Sequence, residues 1–172
     1  FKNEAKGKYI LTSVSFQLTK KKHLLNTSYG AIESAFLEKN ITNPSIKDVS
    51  DAVISIRKSK LPDPEKIGNS GSFFKNPVIS FNKFIELQKK HPTIPSYKVS
   101  ESEVKVPAGW LIEQCGFKGK RYGETGVHDK QALVLVNYGN AKGNDIFNLA
   151  TKIQQTIFET FKIELEIEVN II

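Results

Sequence analysis

The stretch Lys60 to Pro77, KLPDPEKIGNSGSFFKNP, gathers two hydroxyls, three lysines and two amides around a run of prolines and glycines. Pro62, Pro64 and Pro77 fix φ and keep the stretch from coiling, while Gly68 and Gly71 permit positive φ and close backbone approach. The expected result is a stiff loop presenting Ser70 and Ser72. Phe73 and Phe74 can anchor it in a core, which would hold Ser72, Lys75 and Asn76 at defined positions. The same punctuation also suits a tight connection with its polar groups in water. Other chemically capable groups lie further on. Lys118, Lys120 and Arg121 crowd the segment after a helix, a candidate phosphate contact, and His128 and Gln131 precede an apolar run. Near the C-terminus Glu164, Glu166 and Glu168 alternate with apolar residues, and spacing alone gives each the part of a solvent-facing partner. His128 has no cysteine or carboxylate paired with it by spacing, and its role stays open.

Several elements must position these groups. Residues 8 to 19 alternate, with Ile10, Val14, Phe16 and Leu18 on one parity, and read as a strand that needs a sheet to join. Thr27 to Lys39 reads as a short helix, followed by a helix that Asn43 and Pro44 would start. Val49, Ala52, Val53 and Ile56 form that helix's apolar face, and Arg57, Lys58 and Lys60 sit where cations suit a helix C-terminus. After the loop, Ser80 can cap a helix with Phe81, Phe84 and Ile85 on its apolar face, ending before Pro92. Pro92 to Lys105 looks irregular. Pro107 opens a helix in which Ala108, Leu111, Ile112 and Cys115 repeat on one face, with Gly116 as its left-handed stop. Cys115 is thereby assigned to packing and not to nucleophilic chemistry. Ala132 to Val136 reads as a buried strand, a long helix begins at Asn144, and the chain closes on the alternating strand from Ile163 to Ile171. The fold class is α+β, a small sheet with packed helices.

Composition narrows the function classes. The 172 residues with 39% hydrophobic content are enough for a buried core. No apolar run approaches the ~18 residues of a membrane span, and nothing at the N-terminus reads as a signal peptide. One cysteine excludes an intramolecular disulfide and a cysteine metal motif, as a reducing cytosol would allow. The net charge of +7 suits an anionic partner or a merely basic surface, and no nucleic-acid motif is present. No metal-ligand cluster stands out, and Gly139 to Gly143 is too short and polar for a phosphate loop. The chain has no methionine and begins at Phe1, as a fragment would.

The Lys60–Pro77 stretch resembles the hallmark loop of the MurB family, the UDP-N-acetylenolpyruvoylglucosamine reductases of bacterial peptidoglycan synthesis. KVPAGWLIEQCGFKGKR from Lys105, GVHDKQALVLVN from Gly126 and LEIEVNII at the C-terminus follow in the family's order and approximate spacing. The resemblance implies a MurB C-terminal substrate-binding domain over 27–172, preceded by a strand remnant of the FAD-binding domain over 1–26. It implies an enzyme in which NADPH reduces FAD and the flavin passes hydride to UDP-N-acetylglucosamine enolpyruvate, in the bacterial cytoplasm. Ser72 then takes the family's proton-donor position. Glu168 takes its catalytic glutamate position, although Ile167 stands where many members have proline. Lys60, Asn76, Lys118 and Gln131 fall on substrate-binding positions. The flavin-binding part, the family's catalytic arginine and its substrate-gripping tyrosine fall upstream of Phe1, so this chain alone is expected to lack FAD and activity and to need that N-terminal domain. A second class of reading is a non-enzymatic basic module for a nucleotide sugar or other polyanion, which needs Lys60 and Lys118 but not Ser72.

Overall fold

The computed structural model describes residues 5, 7–21, 23–28 and 31–171. Two compact units divide at Ile56/Arg57. In the first, α1 (Ile32–Glu38) and the start of α2 (Ile46–Lys60) close a small apolar cluster of Ile32, Phe36 and Ala52. Ser45 caps α2 reciprocally: the Asp48 N–H donates to Ser45 Oγ and the Ser45 N–H to Asp48 Oδ2, at 3.2 and 2.8 Å. This capping box moves the start of α2 two residues beyond the expected Asn43–Pro44 signal. The first helix likewise begins later than expected, at Ile32, because Asn26 Oδ1 binds the N–H and O–H of Ser28 and holds the chain out of a helix there. Tyr29 and Gly30 lie outside the described residues. The strand expected over 8–19 is not formed. Residues 9–19 belong to no helix or strand, and Ile10, Phe16 and Leu18 are at least 78% exposed. Alternation supplies one face of a strand, but a strand exists only when a neighbour takes its backbone bonds.

The second unit contains two antiparallel sheets. In chain order its elements are β1 (Gly68–Ser72), β2 (Val78–Ser80), α3 (Phe81–Lys90), β3 (Tyr97–Lys98), β4 (Glu103–Lys105), α4 (Ala108–Gln114), β5 (Arg121–Tyr122), β6 (Thr125–Val127), β7 (Val134–Asn137) and α5 (Gly143–Phe161). The larger sheet runs β1-β7-β6-β5 and the smaller β2-β4-β3. The region expected to be irregular from Pro92 thus supplies two strands, whose two- and three-residue lengths are below what alternation can reveal. Ser80 caps α3 as expected, but the buried face is Phe84 and Leu87, while Phe81 and Ile85 remain exposed. Leu87 completes the i, i+3 repeat from Phe84, which the core selects over the expected i, i+4 pair.

α5 carries the core. Leu149, Ala150, Ile153, Ile157 and Phe161 share its buried face and pack on α4, β6 and β7. With Phe74, Val106, Leu111, Ile112, Val127 and Leu135 they belong to one buried core cluster, while Val134 and Val136 are buried outside it. Each large side chain there contributes about 1.5–3 kcal/mol. Surface ion pairs such as Lys98–Glu101 give at most about 1 kcal/mol. Shape therefore follows the apolar register and not the charges. The Asp145 carboxylate accepts the Lys142 N–H at 2.8 Å to start α5, and Gly116 (φ +73°) stops α4 as expected. No helix of the described residues is long and apolar enough to cross a membrane.

Candidate functional site

The Gly-Asn-Ser-Gly-Ser segment, expected as a loop, is β1, the edge of the larger sheet, paired antiparallel with β7. Its register breaks between Asn69 and Ser72. There Gly71 takes φ +73°, the left-handed region a side chain disfavours. Asn69 braces the irregularity: its Oδ1 accepts the Gly71 N–H at 3.1 Å and its Nδ2 donates to the Ile67 carbonyl at 3.0 Å. A regular strand would put Ser70 and Ser72 on one face, and the bulge breaks that alternation. Gly68 has no positive φ and serves differently, since a Cβ there would sit 3.4 Å from Asn137 Cβ.

Beyond Ser72 the chain changes partner. The Phe73 N–H donates to the Leu133 carbonyl at 2.8 Å, then Phe74 bridges Ile167 antiparallel. The Lys75 N–H donates to the Glu166 carbonyl and the Glu168 N–H to the Phe73 carbonyl, both at 2.9 Å. Phe73 and Phe74, 5% and 1% exposed, are the anchors foreseen from sequence. Phe73 is therefore flanked by Ser72 along the chain and by Glu168 across the bridge. Both polar residues face solvent, and the ammonium of Lys75 pairs with the Glu166 carboxylate alongside. The expected C-terminal strand proves to be an extended segment with one bridge. Its alternation is real, because Ile163 and Leu165 are buried while Glu164, Glu166 and Glu168 are exposed.

Asn76 and Gln131 meet at the first turn of α4. Asn76 Oδ1 accepts the Ala108 N–H at 2.9 Å, so its carbonyl is engaged and its amide N–H groups remain as donors. Gln131 Oε1 accepts the Leu133 N–H at 3.4 Å and lies 3.6 Å from where a Cβ on Gly109 would stand. Through Leu133, the Gln131 side chain is two hydrogen bonds from Phe73, one to its own amide oxygen and one between the backbones of Phe73 and Leu133. Lys118 is ion-paired with Glu113 at 2.9 Å. Lys60 ends α2 in solvent. No hydrogen bond or ion pair among the described residues ties either lysine to Ser72. Four of the six expected site residues thus lie along Phe73 and the first turn of α4, joined through intervening residues.

Two features were not read from the sequence. A groove of about 670 Å³ beside Phe73 is lined by Ser70, Lys142, Phe147, Val169 and Ile171. A basic cavity of about 510 Å³ is lined by Arg57, Lys58 and Lys66 with Pro62, Asp63 and Pro64. The residues of each are far apart or individually explicable by the helix dipole, so spacing carried no signal. His128 gains the carboxylate neighbour that spacing did not supply: Nε2 lies 3.3 Å from Asp129 Oδ1, and Nδ1 accepts the Lys130 N–H at 3.3 Å. Both ring nitrogens are engaged, which suits a structural residue. Cys115 is half-buried against the core, its thiol pushed up from the ordinary value by burial, partly countered by the Thr160 hydroxyl 3.9 Å away. It packs, as its spacing implied.

Fold and site together define an α+β domain whose sheet edge presents an exposed serine beside an exposed glutamate, with two amides close by. Residues 63–172 match the family described as UDP-N-acetylenolpyruvoylglucosamine reductase, C-terminal domain. The chain belongs to that family. A UDP-N-acetylenolpyruvoylglucosamine reductase from Flavobacterium johnsoniae is 60% identical over 172 residues, covering 100% of this chain and 51% of that protein. One from Chromobacterium violaceum is 49% identical over 168 residues, covering 98% of this chain and 49% of its own length. The chain spans about half the length of these curated relatives. A solved MurB from Thermus caldophilus aligns at TM-score 0.44 and 21% identity, covering 77% of this chain and 35% of that one.

Proposed function

We propose that this chain is the substrate-binding part, over 27–172, of a cytoplasmic bacterial reductase that converts UDP-N-acetylenolpyruvoylglucosamine to UDP-N-acetylmuramate in peptidoglycan synthesis. In this reading residues 1–26 belong with the FAD-binding domain of the same protein. The observation that supports it is the bridge between Phe74 and Ile167, beside which the Glu168 N–H donates at 2.9 Å to the carbonyl of Phe73, the residue that follows Ser72.

The reaction needs a hydride donor, for which the family reading names FAD recharged by NADPH. The turn from Gly139 to Gly143 does not fit the flavin's diphosphate, because the amides of Gly139 and Ala141 already donate to Asn137 Oδ1, at 2.8 and 3.2 Å. What these residues would do is complete the addition. Hydride arrival at the terminal carbon of an enolpyruvyl ether leaves an enolate on the adjacent carbon. The Ser72 hydroxyl, next to the bulge and to the buried Phe73, would give that carbon its proton, since an enolate is basic enough to take it, and the serine alkoxide would then be reprotonated from water. Glu168, with an arginine from the FAD-binding domain, would bind and polarise the substrate carboxylate. The Asn76 and Gln131 amides and the Lys60 and Lys118 ammoniums would hold the nucleotide-sugar diphosphate.

Glu168→Gln and Glu166→Gln, compared in the full-length protein, test the assignment. Loss of turnover in Glu168→Gln alone is expected. Loss confined to Glu166→Gln would refute it.

A further inference from the structure

The C-terminal segment Ile163-Glu-Leu-Glu-Ile-Glu-Val169 is nearly invariant to a two-residue translation. Sliding it by two puts Leu165 or Val169 against Phe74 in place of Ile167, and gives Lys75 Glu164 or Glu168 in place of Glu166. The Gln154 side chain, whose Nε2 donates to the Leu165 carbonyl at 2.6 Å, would meet an equivalent carbonyl in either register. Buried parity is kept as well. A one-residue slip would flip every side chain, but a two-residue slip costs none of these contacts. It would, however, place Glu166 or Asn170 beside Ser72.

What does distinguish the registers lies at the segment's start. α5 ends at Phe161, 1% exposed, and Ile163, 2% exposed, is already buried. Lys162 alone separates them, in the left-handed conformation (φ 54°, ψ 39°), with its N–H on the Phe158 carbonyl at 2.8 Å. Sliding one way demands residues from the last turn of α5 and withdraws Phe161 from the core. Sliding the other way demands that the helix continue through a residue whose backbone has reversed hand. We propose that the turn at Lys162, by counting residues from the end of α5, sets the register that places Glu168 at Ser72, so that Lys162 is a positioning residue for the site. The proposal rests on the reading of Glu168 as the glutamate that acts on substrate.

The experiment inserts a second Glu-Leu pair between Leu165 and Glu166 in the full-length protein, preserving the alternation. Counted from Lys162, the inserted leucine then faces Phe74 and Glu166 occupies the place of Glu168. Expected in this background is an exchange of phenotypes: Glu166→Gln abolishes turnover and Glu168→Gln is tolerated. Retained dependence on Glu168 would mean that the segment's own side chains set its register and that the inserted pair bulges out, overturning the proposal. Nuclear Overhauser contacts of Phe74 with the inserted leucine, against contacts with Ile167, distinguish the same two registers without turnover. An insertion protein that fails to fold also overturns it, because a segment tolerant of a two-residue shift must accept the pair. If Glu168→Gln is harmless in the parent protein, the functional reading fails, while the Phe74 contacts still decide the register.

Discussion

Replacing Gly71 by alanine isolates the bulge that turns Ser72 away from the face of Ser70. A Cβ at Gly71 would have nothing within 4 Å, so the cost is conformational and not steric. Holding an alanine at φ +73° costs about 1–2 kcal/mol. Removing glycine's freedom from the unfolded chain returns about 0.4–1 kcal/mol. The net expectation is a loss of about 1 kcal/mol, or about 4 °C in Tm. Gly71→Asn should lose less, because asparagine tolerates the left-handed region. Thermal melts of the two variants beside the parent measure this directly. The alanine variant should also slow the step that depends on Ser72, since relaxing φ moves the following residue. An alanine variant as stable as the parent, or an asparagine variant no better than alanine, would show that the bulge is not held by Gly71 and refute the reasoning.

Gly126→Ala should be costlier than Gly71→Ala, because a Cβ there would stand 2.8 Å from the Lys120 carbonyl and 2.9 Å from Tyr138 Cε2, a ring that also stacks on the Arg121 guanidinium; denaturant melts would show it. Asn76→Asp should keep the bond to Ala108 and hence stability but raise KM for the nucleotide sugar, whereas Asn76→Ala should raise KM and also lose about 1 kcal/mol of cap energy in the same melts. Burial raises the Cys115 thiol, so its folded form holds the proton longer than the unfolded chain. Any stability this provides is present at low pH and fades as pH rises past the ordinary thiol value. Reaction with a disulfide reagent should accordingly be slower than for free cysteine and reach half-maximal rate at higher pH.

Long periodic elements were legible in the chain. α5, the apolar face of α4 with Cys115, the Ser80 cap and the buried β7 follow from 3.6- and 2-residue spacing, and the Phe73–Phe74 anchor from composition. β3, β4, β5 and β6 were not, since strands of two or three residues are made by their partners and not by their own pattern. The same physics failed residues 8–19 in the opposite sense, where the pattern was present and no strand formed among the described residues. The β1 segment misled for a third reason: glycine and serine mark turns by propensity, but the sheet edge needs glycine at the bulge. Within the site, Ser72 and Glu168 were indicated by family resemblance, and only the Phe74–Ile167 bridge shows why residues so far apart in the chain stand together. Gln131 and Asn76 both lie against the first turn of α4, a proximity no spacing announces. Lys60 and Lys118 answer equally to the helix dipole and to Glu113, which is why charge alone could not assign them.

The central claim is that Ser72 delivers the proton. Stopped-flow absorbance of the full-length protein with Ser72→Ala separates the two half-reactions. Flavin reduction by NADPH should proceed at nearly the parent rate, while reoxidation by the enolpyruvyl sugar should slow about 10²- to 10⁴-fold, as for a lost general acid. Ser70→Ala, altered on the same strand, should reoxidise as the parent does. Equal reoxidation in Ser72→Ala and parent, or an equal loss in Ser70→Ala, would contradict the account.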